Sequence, residues 1–242
     1  MQVTYLKHSG FLLDLERAVL VFDFFSDPAQ ILGTYENCGK PIIFFVSHNH
    51  YDHWNSDILG FRNRAGVYFV LDQAIRRELG SDPREGESLF YVQENCCYTW
   101  QFLQEAGFTG LYCLPSTDAG VAFFLRADSA SIYHAGDLND WNWQDAEGLE
   151  MERRYRQLIG ALADCLNPED QLKLAFVPVD QRLGDLALAG AKIFVELIRP
   201  AYLIPMHLNG GVGLPADLKR DLDGGPTEVL PMVEPGQSLT LG

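Results

Sequence analysis

The amino-acid sequence predicts an α/β fold in which two sheets pack against each other and helices cover the outside, a four-layer arrangement in one domain over residues 1–242. Three observations favour this fold. The first half contains mainly short strands, the last part follows the order β-α-β-α-β, and no linker rich in Ser, Gly or Pro divides them. A chain of 242 residues that is 47% hydrophobic is long enough to bury the core of such a domain.

The first predicted strands lead to a loop rich in histidine. The run PIIFFVS, residues 41–47, is almost entirely apolar, which is typical of a strand buried on both faces. Asn55 or Ser56 can cap a short helix that ends at Arg62, so His48 to His53 should form the loop between strand and helix. The strands predicted before this run are Val3 to Leu6, Phe11 to Leu15 and Ala18 to Phe22.

Strands remain the main predicted element up to residue 134. GVYFV, residues 66–70, predicts a strand, and Asp72 to Leu79 predicts a helix. Four more strands are predicted at Tyr98 to Leu103, Gly110 to Leu114, Val121 to Arg126 and Ser131 to His134.

The last part of the sequence alternates helices and strands. A long helix is predicted from Asp145 to Cys165. It is followed by the strand LKLAFVPV, a helix over Asp185 to Ile198, the strand AYLIPM and a final strand over Ser238 to Leu241. Helices that separate strands in this way pack on the outer faces of a sheet.

Composition and charge narrow the choice of partners and compartment. The 18 Lys and Arg against 33 Asp and Glu give a formal charge of −15, which repels nucleic acid and anionic membrane surfaces, so nucleic acid is an unlikely partner by this criterion. The N-terminus has no signal-like segment and no apolar run is long enough to span a bilayer, which predicts a cytoplasmic protein without membrane association. The five cysteines are odd in number and lack C-x-x-C spacing, so they are expected to be reduced.

The segment SHNHYDHW, residues 47–54, holds three of the six histidines of the chain. At the average histidine frequency, the H-x-H-x-x-H pattern would arise by chance in about 0.4% of such chains. His48 and His50 would project to the same side at the end of a strand and can bind one cation, and Asp52 and His53 can bind another. Imidazole and carboxylate ligands suit zinc, and manganese or iron would also fit.

One loop supplies too few ligands for a complete site, so further ligands should follow other strands. SIYHAGDLNDW, residues 131–141, ends a strand at a glycine with Asp137 directly after it, where a carboxylate can bridge two metals. AYLIPMHLNG, residues 201–210, places His207 at the end of another strand. A single Asp or His in such a place is usually structural, but the histidine-rich loop favours a role for both as ligands.

These motifs resemble the metallo-β-lactamase-fold superfamily, whose hallmark H-x-H-x-D-H corresponds to residues 48–53. The opening YLKHSGFLLDLERAVLVFDFFSDP is similar to the subgroup of ascorbate-6-phosphate lactonase-like and other metal-dependent hydrolases, YHAGDLN to the superfamily's GD motif, and LIPMH to its final histidine. The resemblance covers nearly the whole chain and implies an αββα sandwich with one or two zinc ions. It implies these ligands: His48 and His50 for metal 1, Asp52, His53 and His207 for metal 2, and Asp137 as the bridge.

The sequence departs from the superfamily pattern at one ligand. Most members supply a third histidine for metal 1 between the hallmark and the GD motif, but residues 54–133 contain no histidine. Asp118 in LPSTDAGVAFF can replace it as an oxygen ligand, and His134 is another candidate. The alternative is a site that holds one metal.

The predicted function is a hydrolase in which a metal-activated water attacks a small ester, lactone or phosphoester, with anionic substrates included. Asp52 is the candidate catalytic residue, because it can orient the water or accept its proton. His8 and Asp23 are expected to orient ligands through hydrogen bonds.

Other residues and functions stay open at this point. Arg182, after the predicted strand that contains Asp180, is either a ligand for an anionic group or a solvated side chain. Trp54, Trp141 and Trp143 are either pocket walls or core residues. The alternative functions are a phosphodiesterase or nuclease of the same fold and a non-catalytic metal-binding sensor or scaffold. The sequence leaves the oligomeric state open.

Overall fold

The computed structural model describes residues 1–127, 130–166 and 171–242, and these residues form two mixed, seven-stranded sheets. The first sheet contains β1 (Gln2–Lys7), β2 (Gly10–Asp14), β3 (Val19–Phe22), β4 (Ile42–Val46), β5 (Val67–Asp72), β6 (Leu89–Val92) and β14 (Ser238–Thr240). The second contains β7 (Cys96–Tyr98), β8 (Gly110–Pro115), β9 (Val121–Arg126), β10 (Ile132–His134), β11 (Leu174–Pro178), β12 (Tyr202–Met206) and β13 (Glu228–Val229). In space the orders are β14-β1-β2-β3-β4-β5-β6 and β13-β12-β11-β10-β9-β8-β7.

Helices connect several of these strands. They are α1 (Ile31–Thr34), α2 (Gln73–Leu79), α3 (Gln101–Glu105), α4 (Gly148–Cys165), α5 (Ala189–Ile198), α6 (Leu214–Asp221) and the 3₁₀ helices Ser56–Phe61 and Gln181–Leu186. Asp72 and Asn55 cap two of them through side-chain oxygens, and Asn55 is one of the two caps predicted for the first 3₁₀ helix. Among the described residues, no helix has both the length and the apolar character of a membrane span.

Alternation along the strands of the first sheet explains the four layers. Phe11, Phe22 and Phe45 belong to the core shared with the second sheet, and the ring of Phe11 lies 4.4 Å from that of Phe176 on β11. The neighbouring residues of each strand point to the opposite face, where they form a separate apolar cluster with α1, α2 and the first 3₁₀ helix. On the far side of the second sheet, α5 packs on β11 and α4 packs on α5. The predicted four-layer α/β fold is confirmed.

Strand direction brings several loops to one edge of the sandwich. β3 and β4 run parallel in the first sheet, and β10, β11 and β12 run parallel in the second, so the residues that follow them emerge at the same edge of their sheet. Backbone hydrogen bonds join the sheets there. Val121 N donates to Ser47 O over 3.0 Å, and His207 N donates to His8 O over 3.4 Å.

The predicted strand over Tyr98 to Leu103 is wrong for most of its length. β7 ends at Tyr98, and α3 begins at Gln101. The aromatic residues suggested a strand, but their rings pack together from a helix, with Phe102 4.3 Å from Tyr68 on β5. The sequence patterns also missed β6, α6 and the short α1 and β13, while the other predicted strands and helices agree with the structure to within a few residues.

Candidate metal centre

The carboxylate of Asp137 lies at the centre of three histidines. Asp137 Oδ2 is 3.3 Å from His48 Nε2, and Asp137 Oδ1 is 3.0 Å from His53 Nε2 and 3.4 Å from His207 Nε2. All four side chains are buried. The structure therefore brings together residues that the sequence places in three separate segments.

Local backbone geometry directs these side chains into the cluster. His48 follows β4 after one residue, and a turn in which His53 N and Trp54 N both donate to His50 O brings His53 back beside it. The rings of His48 and His53 are 4.2 Å apart. His207 has a φ of 59°, a left-handed conformation that few residues other than glycine adopt, and such strain concentrates at functional sites.

Each of the three histidines has its Nδ1 occupied by a buried acceptor. His53 Nδ1 donates to Asp23 Oδ2 over 2.7 Å, and His207 Nδ1 donates to Asp180 Oδ2 over 3.0 Å. Ser47 Oγ donates to Asp23 Oδ2 over 2.7 Å and accepts from His48 Nδ1 over 2.9 Å. These bonds place a proton on Nδ1 of each ring and leave each Nε2 facing Asp137, where it is available as a metal ligand.

The inner atoms of this cluster lack the partners that burial requires. Among the described residues, His48 Nε2, His53 Nε2 and Asp137 Oδ1 are buried and have no partner in hydrogen-bond geometry. Nitrogen lone pairs that face a carboxylate repel it, and unpaired buried polar atoms cost free energy. Divalent cations would give these atoms the partners that they lack, so the donor set fits a metal centre.

Charge interactions in the cluster favour the charged forms of its members: they raise the pKa of His53 and lower the pKa of Asp137. Burial lowers the pKa of His53, but the charge of Asp23, the contact with Asp137 and the hydrogen bond to Asp23 outweigh burial and raise it to about 10. Burial raises the pKa of Asp137, but contacts with His48 and His53 hold it well below its usual range. The carboxylates therefore favour a positive charge on His53, and a metal ion would supply this charge instead of a proton.

Asp52 belongs to a second group, together with His8, His53 and His207. One potential ligand atom of each lies within 4.8 Å of the others. His8 Nε2 is 3.3 Å from Asp52 Oδ2, and the rings of His8 and His207 are 4.2 Å apart. His8 is thus a member of the cluster, whereas the sequence predicted only an orienting role for it.

His50 and Asp118 form a third group with Asp137, again within 4.8 Å of one another. His50 Nδ1 lies 4.0 Å from Asp137 Oδ2, and its side chain is 50% exposed. Asp118 sits on a loop fixed to the segment after Asp137, because Thr117 Oγ1 donates to Asn139 O over 2.6 Å and accepts from Asn139 N over 3.0 Å. This clamp keeps Asp118 beside His50.

His134, the other candidate for the missing ligand, points away from this group. Its Nε2 donates to Ser9 O over 2.9 Å, and its Nδ1 accepts from Gly136 N over 3.2 Å. Burial lowers its pKa, so the ring is neutral at pH 7 with both nitrogens paired. Of the two candidates for the missing metal 1 ligand, only Asp118 lies near His50 and Asp137.

A cavity of about 220 Å³ opens beside Asp137. Its other lining residues are Thr117, Asp118, Trp141, Trp143, Met151 and Arg182. Trp141 Nε1 donates to the backbone oxygen of Asp137 over 2.8 Å, which fixes the indole as a wall. Trp54 lies elsewhere, packed on the apolar cluster of the outer layer. A larger cavity of about 720 Å³, beside Cys97 and Cys165, contains none of the cluster residues.

Asp180 supports the cluster, although the sequence predicted no role for it. Asp180 is fully buried and accepts hydrogen bonds from His207, Asn209 and Arg182. Burial raises the pKa of Asp180, but these bonds outweigh burial and hold it well below its usual range. The only signal was its place after a strand at the same predicted edge. Asp23, by contrast, has the orienting position that the sequence predicts for it.

Two sheets packed face to face, outer helices and a His/Asp cluster at the edge define a protein of the metallo-β-lactamase fold. Over its full length the chain is 26% identical to a UPF0173 metal-dependent hydrolase from Korarchaeum cryptofilum, whose whole length is also covered. No protein-family model matches the chain.

Solved structures agree on the fold. Igni18, a metallo hydrolase from Ignicoccus hospitalis, matches 100% of this chain and 98% of its own with a TM-score of 0.69 at 23% identity. The metallo-β-lactamase fold protein YhfI from Bacillus subtilis matches 98% of each chain with a TM-score of 0.63 at 15% identity. The predicted metallo-β-lactamase fold is confirmed by these similarities, while the narrower similarity to ascorbate-6-phosphate lactonase-like proteins stays a prediction.

Proposed function

We propose that this protein is a metal-dependent hydrolase with a two-metal centre built around Asp137. The observation that carries this proposal is the set of histidine Nε2 atoms turned toward one buried carboxylate without hydrogen-bond partners of their own. The relative from Korarchaeum cryptofilum is named a metal-dependent hydrolase and Igni18 a metallo hydrolase, which supports the same class of activity here.

The ligands divide into two sets that share Asp137. We assign His48, His50, Asp118 and Asp137 to metal 1, and Asp52, His53, His207 and Asp137 to metal 2, with His8 beside it. The assignment is supported by the proximity of His50 and Asp118 to Asp137, of Asp52 to His53 and His207, and of Asp137 to His48, His53 and His207. Asp118 would replace the histidine that the superfamily usually supplies, and its place near His50 and Asp137 supports this assignment. An oxygen ligand in place of a nitrogen makes this site harder and weaker, so metal 1 should dissociate before metal 2.

Formal charge supports two cations rather than one. Five carboxylates belong to the centre or to the network that supports it: Asp23, Asp52, Asp118, Asp137 and Asp180. With the guanidinium of Arg182 they give a formal charge of −4, which two divalent ions would balance. Zinc suits the mixed nitrogen and oxygen ligands, and manganese or iron would also be accepted.

Bound cations would supply Lewis acidity, lowering the pKa of water and balancing negative charge on the substrate. Asp52 is our candidate catalytic residue. Burial raises its pKa, but the hydrogen bond from His8 and the charges of His53 and His8 outweigh burial and hold it well below its usual range. Asp52 is therefore ionised at neutral pH and can orient a water molecule or accept its proton. Asp23, Ser47 and Asp180 keep the rings in place.

The substrate we propose is a small ester, lactone or phosphoester. The cavity beside Asp137, at about 220 Å³, is smaller than the roughly 300–1,000 Å³ of pockets that enclose drug-sized ligands. A formal charge of −15 argues against nucleic acid as substrate, so a nuclease activity remains the less favoured alternative. We also propose that residues 1–242 form one domain and that the protein acts in the cytoplasm.

Metal analysis of protein purified without chelator tests this proposal. We expect about two divalent ions per chain and hydrolysis of a panel of 4-nitrophenyl esters and phosphoesters. His50→Ala should remove one ion and most of the activity, because the half-exposed His50 can be truncated without loss of the core. Asn49→Ala is the matched control, since Asn49 pairs with Glu78 outside the cluster. Protein that binds no divalent metal on titration would contradict the proposal, and metal binding without any turnover would favour a sensor or scaffold.

A further inference from the structure

Arg182 presents part of its guanidinium to the cavity beside Asp137. Its Nε lies 3.0 Å from both carboxylate oxygens of Asp180, and its Nη2 lies 2.6 Å from Asp180 Oδ2. Its Nη1 has no hydrogen-bond partner in the described part of the chain, although Arg182 lines the cavity. One edge of the guanidinium is thus held by the protein, and the other is available to a ligand.

The orientation of Arg182 is fixed on two sides. Asp180 is itself held by Asn209 Nδ2 at 2.7 Å and by His207 Nδ1 at 3.0 Å. The Arg182 Cζ atom lies 5.7 Å from the centre of the Trp143 ring, within the range of a cation–π contact. A guanidinium held in this way loses little entropy when it binds an anion, and its planar fork matches a carboxylate or a phosphate.

The surroundings of Arg182 suit a ligand that is partly apolar. Trp141 and Trp143 stack nearly parallel, with an interplanar angle of 10° and ring centres 6.0 Å apart, and Trp143 is 49% exposed. Met151 adds another apolar surface to the same cavity. The cavity therefore combines one cationic group, an aromatic wall and, through Asp137, one side of the candidate metal centre.

We propose that Arg182 binds a carboxylate or phosphate group of the substrate, so that the preferred substrates are small anions whose scissile bond lies beside Asp137. This inference rests on the proposed function and adds a substrate class to it. The acidic residues of the cavity, Asp118 and Asp137, do not oppose anion binding once cations neutralise them, which leaves Arg182 to select the charge of the substrate.

The test compares two esters that differ in one charge. Mono-4-nitrophenyl succinate carries a terminal carboxylate, and 4-nitrophenyl butyrate has the same leaving group without that charge. We expect metal-loaded wild-type protein to prefer the succinate ester, and Arg182→Gln to lower kcat/KM for it about 10- to 100-fold while kcat/KM for the butyrate ester changes less than about threefold. Arg182→Lys should retain part of the preference. Arg220→Gln is the matched control, because Arg220 is exposed, lies outside the cavity and carries the same charge.

A merely structural role of Arg182 would give a different result. If Arg182 only held Asp180 and His207 in place, Arg182→Gln would reduce both esters equally and lower the metal content, and this result would overturn the inference. Equal kcat/KM of wild type and Arg182→Gln for the succinate ester would also overturn it.

A binding experiment separates this inference from the proposed function. Succinate and inorganic phosphate are titrated into metal-loaded protein, and tryptophan fluorescence, to which Trp143 contributes, reports binding. We expect at least one of the two to bind, and Arg182→Gln to weaken it about 10- to 100-fold, which also identifies the preferred anion. This result would support the inference even if neither ester is hydrolysed. Binding that Arg182→Gln leaves unchanged, or no binding of either anion to wild type, would overturn it.

Discussion

The Asp23 carboxylate accepts a 2.7 Å hydrogen bond from His53 Nδ1 and thereby determines which nitrogen of His53 faces Asp137. The same carboxylate accepts from Ser47 N and Ser47 Oγ, so it also fixes the end of β4 from which His48 projects. Burial raises the pKa of Asp23, but the charges of His53 and His134 hold it below its ordinary value. One buried acidic residue thus orients two candidate ligands.

Asp23→Asn should weaken metal binding about 10- to 100-fold, because an uncharged amide orients and polarises the His53 ring less than a carboxylate does. Chelator competition measures the affinity. Asp14→Asn is the control, because it removes the same charge at the end of β2, where Asp14 pairs with Lys40 away from the cluster. Unchanged affinity in Asp23→Asn would contradict an orienting role.

The two-metal proposal makes a direct prediction for Asp118. Asp118→Asn should lower the metal content from about two ions to about one, since an amide oxygen is a weaker ligand than a carboxylate for a divalent ion. Asp118→His should restore two ions and bind the weaker one more tightly, because imidazole suits zinc. Elemental analysis and calorimetric titration with zinc measure both effects.

Asp57→Asn, an exposed change on the 3₁₀ helix after the loop, is the control for Asp118 and should keep both ions. If Asp118→Asn retains two ions with unchanged affinity, another group must complete metal 1.

The position of His48 depends on a close approach between β4 and the loop before β9. Gly120 has a φ of +65°, and a Cβ there would overlap Ser47 O and lie 2.5 Å from His48 Cβ. Gly120→Ala should therefore lower the free energy of unfolding by about 2–4 kcal/mol, from backbone strain and overpacking together, and weaken metal binding. Urea denaturation and metal titration measure the two effects.

Gly160→Ala is the matched control for Gly120. Gly160 lies in α4, and a Cβ there would meet no atom within 4 Å. Alanine is the better helix former, so this variant should be neutral or more stable by about 0.5–1 kcal/mol. Equal stability of the two variants would show that the approach at Gly120 is looser than the structure indicates.

The sequence predicted the part of the site whose signal is local. Residues 48–53 directly follow an apolar run that predicts a buried strand, so the local sequence alone places them in a loop at the edge of a sheet. Asp137 and His207 were found because each follows another predicted strand. In the structure, the carboxylate oxygens of Asp137 lie 3.0–3.4 Å from the Nε2 atoms of His48, His53 and His207, and their role as metal ligands stays a prediction.

The remaining features depend on contacts between distant segments. His8 joins the cluster because its backbone is left-handed and its carbonyl accepts from His207, which no pattern in KHSGF indicates. Our preference for Asp118 over His134 as the missing metal 1 ligand depends on tertiary contacts. His134 donates to the carbonyl of Ser9, and the loop of Asp118 is held by the backbone of Asn139. Similarly, α3 was missed because the aromatic residues in and before it are typical of a strand. Only their packing against the first sheet shows that the segment is a helix.

Asp140 should make the stability of the fold depend on pH. Burial raises its pKa to about 6, the charge of Glu152 adds to this, and its Oδ1 has no hydrogen-bond partner among the described residues. Since the pKa is higher in the folded than in the unfolded chain, the folded state binds more protons between pH 4 and 6. The contribution of Asp140 is therefore fully present below about pH 4 and is lost as pH rises through about 6, a change of about 3 kcal/mol at most.

Asp140→Asn removes this titration, so its free energy of unfolding should rise relative to wild type as pH increases from 4.5 to 7.5. Urea denaturation at both pH values measures the difference, with chelator present so that metal binding does not contribute. Asp223→Asn is the control, because Asp223 is exposed and its replacement changes the net charge equally. A difference between wild type and Asp140→Asn that is the same at both pH values would show that Asp140 is ionised throughout, and its unpaired oxygen would then have to face a cation or water.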